Sequence, residues 1–201
     1  MQHIFIKGTD DSKPTLLLLH GTGGNEHDLV ALAKEIDPTA SLLGVRGNVV
    51  ENGMPRFFRR LAEGVFDLAD LELRTKELVD FIDEAATQYR FDRKNVVAIG
   101  YSNGANIAGS LLFHNGPIVK GAILHHPMVP RREIEVPALP QLPVWIGAGK
   151  NDHMCPPKES KDLEVLLTVA GAEVEVYWSD YGHQLTHDEL NAAKAWYSNH
   201  F

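Results

Sequence analysis

With 201 residues, 44% of them apolar and 23% charged, the chain has the balance of a folded domain that buries a full core without staples. A formal net charge of −8 argues against a general binder of nucleic acid or anionic membrane, both of which need clustered Lys and Arg. The single cysteine, Cys155, excludes an intramolecular disulfide.

The N-terminal run from Met1 to Gly8 lacks a signal-peptide pattern, and no apolar run approaches the length of a membrane span. The expectation is one domain over 1–201, cytoplasmic. In chain order, HIFIKG reads as an antiparallel edge strand. Residues 15–20 (TLLLLH) read as a buried strand closed by glycines. Residues 26–36 carry Leu29, Leu32, Ala33 and Ile36 at helical spacing. Residues 41–46 predict a strand, and 47–69 an irregular stretch. Residues 70–89 place Leu71, Leu78, Phe81, Ile82, Ala85 and Tyr89 on one helical face. Then come a strand at 95–100, a helix at 103–113 and a strand at 118–125. The Pro-rich segment 126–142, with Pro127, Pro130, Pro137 and Pro140, reads as a loop. Strands at 143–148 and 173–178 alternate with helices at 157–170 and 186–199.

Alternating strands and helices, with strands apolar on both sides, predict an α/β fold. Its central sheet is mostly parallel, with helices on both faces. In such sheets ligands bind beyond the C-terminal ends of the strands. The chemistry is therefore sought just after each apolar run.

After NVVAIG the chain turns through Gly100-Tyr101-Ser102-Asn103-Gly104 into a helix. A serine on such a strand-to-helix corner is exposed to a base that can take its proton, as in the nucleophile elbow of α/β-hydrolases. Taken alone, the pattern also fits a plain turn with a capping serine. Two further features favour catalysis. The first strong strand ends in His20-Gly21-Thr22-Gly23-Gly24, a turn whose backbone N–H groups are candidates for holding an oxyanion. The Thr22 N–H is the expected donor there, with the Gly23 N–H as the alternative, and the Asn103 N–H is the second. His20 reads as structural, since it precedes the nucleophile.

The second feature is the order serine, acid, histidine. Asp152 follows the strand PVWIGA, and His183 follows EVEVYW and Gly182. Asp152 is expected to hold the tautomer of His183, which takes the Ser102 proton. His125-His126 are the strongest rival histidines and are expected to shape the pocket floor, with His126 near the substrate. Asp180 rivals Asp152 as the acid but shares a loop with His183. Cys155 lacks an elbow and reads as a bystander.

LLLLHGTGG, GYSNG, the Asp152 loop and Tyr181-Gly182-His183 together resemble the small bacterial carboxylesterases. These form part of the phospholipase/carboxylesterase branch of the α/β-hydrolases. The segment Gly53-Met54-Pro55-Arg56-Phe57-Phe58-Arg59-Arg60 is similar to hydrolases of the hydroquinone-resistance type. Asn103 departs from the Gln that many relatives carry after the nucleophile. His125-His126-Pro127 departs from the Ser-Gly of the thioesterases. The resemblance implies an α/β-hydrolase fold with no large cap domain, a triad of Ser102, Asp152 and His183, and N–H donors at Thr22 and Asn103.

If segment 47–69 borders the site, Arg56 is expected to help bind a substrate oxygen or carboxylate, for which a guanidinium is suited in two-pronged fashion. Phe57 and Gly23 are placed beside it, while Arg59 and Arg60 read as solvated. The leading expectation is a serine esterase for small-molecule carboxylic esters. Alternatives are an acyl-thioesterase or lysophospholipase with the same triad and, in another class, a non-catalytic ligand sensor. No cofactor or metal is called for, since H-E-x-x-H, Walker and dinucleotide motifs do not occur. The oligomeric state is open, a homodimer included.

Overall fold

The computed structural model describes residues 1–201. The chain begins with β1 (His3–Ile6), β2 (Thr15–Leu19), α1 (Val30–Ile36) and β3 (Leu42–Val45). Two small hairpins follow, β4 (Val49–Glu51) with β5 (Met54–Arg56) and β6 (Arg60–Ala62) with β7 (Val65–Phe66). The rest alternates: α2 (Leu68–Tyr89), β8 (Val96–Tyr101), α3 (Asn103–Asn115), β9 (Gly121–His125), β10 (Pro143–Gly149), α4 (Pro157–Val169), β11 (Glu173–Ser179) and α5 (His187–His200).

Seven strands form one sheet in the order β1-β3-β2-β8-β9-β10-β11. Only β1 runs antiparallel, pairing Phe5 with Leu43 at the edge. Successive side chains of a strand face opposite sides. In β2, Leu17 and Leu19 therefore enter the larger core with α2, α3 and α4, while Leu16 and Leu18 enter the smaller core with α1 and α5. All four leucines are buried, which is why the run reads as continuously apolar. Helix α2 starts where the Asp67 side chain accepts from the Asp70 N–H, and it stops at Arg90 in a left-handed conformation.

Segment 47–69 is not irregular as the composition suggests. Its two hairpins stand beside the C-terminal edge of the sheet. Asn52 and Gly53 both have positive φ (51° and 78°), which fits the tight turn that joins β4 to β5. Helix α1 is shorter than its apolar spacing implies, because residues 26–29 form turns. Segment 126–142 has neither helix nor strand. No helix is long and apolar enough to cross a membrane.

Candidate active site

Strand β8 ends at the corner carrying Ser102, whose φ of 53° and ψ of −112° lie in a strained region for a residue with a side chain. The corner depends on its glycines. A Cβ on Gly104 would overlap the Leu19 carbonyl of β2, and one on Gly100 would overlap the Gly104 backbone. The close approach of α3 to the sheet therefore requires both.

Loops after β10 and β11 bring two more groups to this corner. The Ser102 hydroxyl donates to His183 Nε2 at 2.8 Å. The opposite ring nitrogen, Nδ1, donates to Asp152 Oδ2 at 2.7 Å. The other Asp152 oxygen accepts from the Met154 and Cys155 N–H groups at 2.9 and 2.8 Å. Asp152 is 2% exposed, so burial alone would raise its carboxyl. Hydrogen bonds from His126, His183 and the Cys155 N–H outweigh that and hold it well below the usual carboxylate range. The Tyr101 hydroxyl donates to the His183 carbonyl at 2.8 Å and so pins the histidine loop. Burial, aided by nearby Asp152, Cys155 and Glu189, pushes that phenol up to about 12 and keeps it a donor.

A cleft of about 430 Å³, part of it open to solvent, lies over the serine. Thr22, Ser102 and Asn103 all line it. The Thr22 N–H has no acceptor within the protein. Asn103 is the first residue of α3, so its N–H has no intrahelical acceptor. Arg56 lines the cleft too, and its Nη1 donates to the Thr22 hydroxyl at 2.8 Å. Its Nε donates to the Phe58 carbonyl at 3.3 Å and lies 3.4 Å from Glu51.

Several other residues lie elsewhere than the sequence reading placed them. Phe57 does not border the cleft. It is 1% exposed against His20, and its N–H donates to Asn103 Oδ1 at 2.7 Å. Phe66, from the same segment, is the aromatic that lines the cleft. Gly23 also sits outside, its N–H given to the Pro55 carbonyl at 2.9 Å. His126 is buried behind Asp152, not exposed to the cleft. Arg60 is not simply solvated, since it pairs with Glu51 and lines the cleft, whereas Arg59 is exposed. Both ring nitrogens of His20 are taken by backbone groups of Gly21 and Gly47. Asp180 is exposed beside Lys150, away from the histidine ring. Cys155 lines the cleft, but burial and the charges of Asp152 and Glu159 push its thiol up and hold it protonated.

His126, Asp152 and His183 hold ligand-type atoms within 4.8 Å of one another, in the pattern of a metal site. Hydrogen bonds account for their close approach without a cation. Two groups here had no role in the sequence reading: Tyr101, hidden inside the elbow motif, and Glu189. The signal around Glu189, Thr186-x-x-Glu189, reads as a helix-capping box, and the Glu189 N–H does donate to the Thr186 hydroxyl oxygen. Its carboxylate, however, turns inward.

A parallel sheet with its serine elbow and neighbouring histidine defines an α/β-hydrolase. Residues 58–198 match the dienelactone hydrolase family, and the chain belongs to that family. Membership makes it a carboxylic ester hydrolase. It is 62% identical over 197 residues to MhqD of Bacillus subtilis (strain 168), which is named as a hydrolase, covering 98% of each chain. The Bacillus cereus carboxylesterase superposes with a TM-score of 0.99 at 62% identity, over 100% of this chain and 95% of that one. YahD, solved with malic acid, superposes with a TM-score of 0.95 at 34% identity, over 100% and 99%.

Proposed function

We propose that the protein cleaves small carboxylic esters through an acyl-enzyme on Ser102. One observation carries the reading: the unbroken chain from the Ser102 hydroxyl through His183 to Asp152, set on a strained corner that opens to a cleft. His183 takes the serine proton as the oxygen attacks the ester carbonyl. The N–H groups of Thr22 and Asn103 hold the oxyanion that forms. His183 then returns the proton to the departing alcohol. Water, deprotonated by the same ring, releases the acid and restores the serine. Asp152 keeps the His183 proton on Nδ1, so that Nε2 faces the serine.

The substrate side of the proposal rests on the cleft walls. Arg56, Arg60 and Glu63 line it beside Phe66 and Met128. Such a short, charged cleft suits a compact acid with a polar end better than a long acyl chain, which needs an extended apolar groove. This favours an esterase over a lysophospholipase or long-chain thioesterase. Arg56 keeps N–H donors beyond those given to Thr22 and Phe58, and we assign it the polar end of the substrate. YahD, with its malic acid, offers a parallel in a relative.

Ser102→Ala tests the mechanism. Turnover of a short p-nitrophenyl ester should fall to background, and a fluorophosphonate should label the wild type but not the variant. Activity at the wild-type level would remove Ser102 as nucleophile.

A further inference from the structure

Behind Asp152 the buried chain of polar groups continues. His126 Nδ1 lies 3.0 Å from Asp152 Oδ2, the same oxygen that takes the His183 hydrogen bond. His126 Nε2 lies 3.1 Å from Glu189 Oε2, and His125 Nδ1 lies 2.5 Å from Glu189 Oε1. The side chains of His125, His126, Asp152 and Glu189 are all fully buried.

Ionised carboxylates only accept hydrogen bonds. Each ring nitrogen of His126 faces a carboxylate oxygen, so each must carry a hydrogen. A histidine with two N–H groups is an imidazolium. Burial alone would push this ring down, but the hydrogen bonds to Asp152 and Glu189 outweigh it and raise His126 to about 9. Burial likewise works against ionised Glu189, yet His125 and His126 bring it down to about 2.

The fold makes special room for the arrangement. A Cβ on Gly147 of β10 would overlap Glu189 Oε1 and crowd the Trp145 ring, so glycine at this strand position leaves the carboxylate its place. His126 has a φ of 53°, as Ser102 does, and the two residues follow the neighbouring strands β9 and β8. Positive φ at a residue with a side chain costs stability and persists only where its surroundings impose it. The groups facing the His126 ring are Asp152 and Glu189, with Tyr101 edge-on at 6.1 Å and His183 at 5.2 Å between ring centroids; His125 stands beyond, on the other oxygen of Glu189.

We propose that His126 is a positioning residue, a buried imidazolium clamped between Asp152 and Glu189 that fixes the Asp152 carboxylate and moderates its pull on the His183 proton. Two carboxylates and one imidazolium leave a single net negative charge behind His183. Without the imidazolium, Asp152 would act on His183 at full strength. Protonated His183 would then be favoured, and in that form it cannot accept the serine proton. The kinetic part of the inference rests on the Ser102–His183–Asp152 reading, while the charge state of His126 does not.

Two experiments on the full chain test it. Nitrogen NMR of histidine-labelled protein at pH 7.5, with His126 assigned by comparison with His126→Gln, should show both His126 nitrogens protonated. A neutral His126 ring would overturn the proposal whatever the kinetics give. The double variant His126→Gln with Glu189→Gln keeps a neutral hydrogen-bonding chain behind Asp152. Its acid limb in kcat/KM should move up by about one pH unit, as expected for a charge about 5 Å away that Glu189 partly offsets. A profile scaled down without displacement would overturn the moderating role. If Ser102→Ala stayed active, the mechanism would fall, while the NMR result would still decide the charge on His126.

Discussion

Asp152→Asn separates orientation from mere presence at the site. Asp152 accepts four hydrogen bonds, two from the Met154 and Cys155 backbone and two from the rings of His126 and His183. An amide at this position can keep the backbone pair through its oxygen. Its NH2 group then faces the two ring nitrogens as a donor. His183 can meet it only by moving its proton to Nε2, and that hydrogen points at Ser102 where a lone pair is needed. A wrong tautomer of this kind costs about 10⁴ in kcat, or about 5.5 kcal/mol of transition-state stabilisation. His126 also keeps only one of its two carboxylates, so stability should fall by about 3 kcal/mol. The assay is kcat on a short p-nitrophenyl ester at pH 7.5, on protein shown to be folded by circular dichroism. A kcat within tenfold of the wild type would refute the assignment of tautomer control to Asp152.

Two further outcomes are expected. His126, raised from 6.5 to about 9, contributes stability that is full below about pH 6.5 and lost as pH rises through about 9. Glu189, lowered from 4.5 to about 2, contributes stability that is full above about pH 4.5 and lost as pH falls through about 2. Urea unfolding should therefore show a plateau between about pH 4.5 and 6.5, then a decline of about 3 kcal/mol towards pH 9; His126→Gln should flatten that decline, and an equal decline in the variant would count against the imidazolium. Arg56→Ala should raise KM for a hemi-ester of a dicarboxylic acid at least tenfold more than for a neutral ester of the same size. Equal changes for both would leave Arg56 only the task of bracing Thr22.

The main sheet was legible because its strands are buried on both faces. Runs such as Leu16 to Leu19 and Val96 to Ile99 are long, apolar and closed by glycine. The residues after each run could then be searched in order, which led to Ser102, Asp152 and His183. The hairpins of 49–66 were not legible by the same rule. Their strands are two or three residues long, and Val50, Leu61 and Val65 point outward. Asn52-Gly53 was the available signal, and a periodicity search passes over it. Glu189 was hidden differently. Its backbone obeys the capping pattern while its side chain serves the interior, and local sequence describes only the former. Phe57 was misplaced for a related reason: an aromatic near a site is equally suited to the core beneath it.

The two strained corners at Ser102 and His126 set the direction in which variation can improve this enzyme. Each holds a side-chain-bearing residue where glycine would rest at lower energy, and the surrounding sheet absorbs a penalty of about 1–3 kcal/mol per corner. Relaxing either corner would harden the fold and at the same time erase a side chain on which the proposed mechanism depends. Under that mechanism robustness and turnover are opposed at two adjacent strand ends, and thermal hardening has to be sought in other parts of the chain.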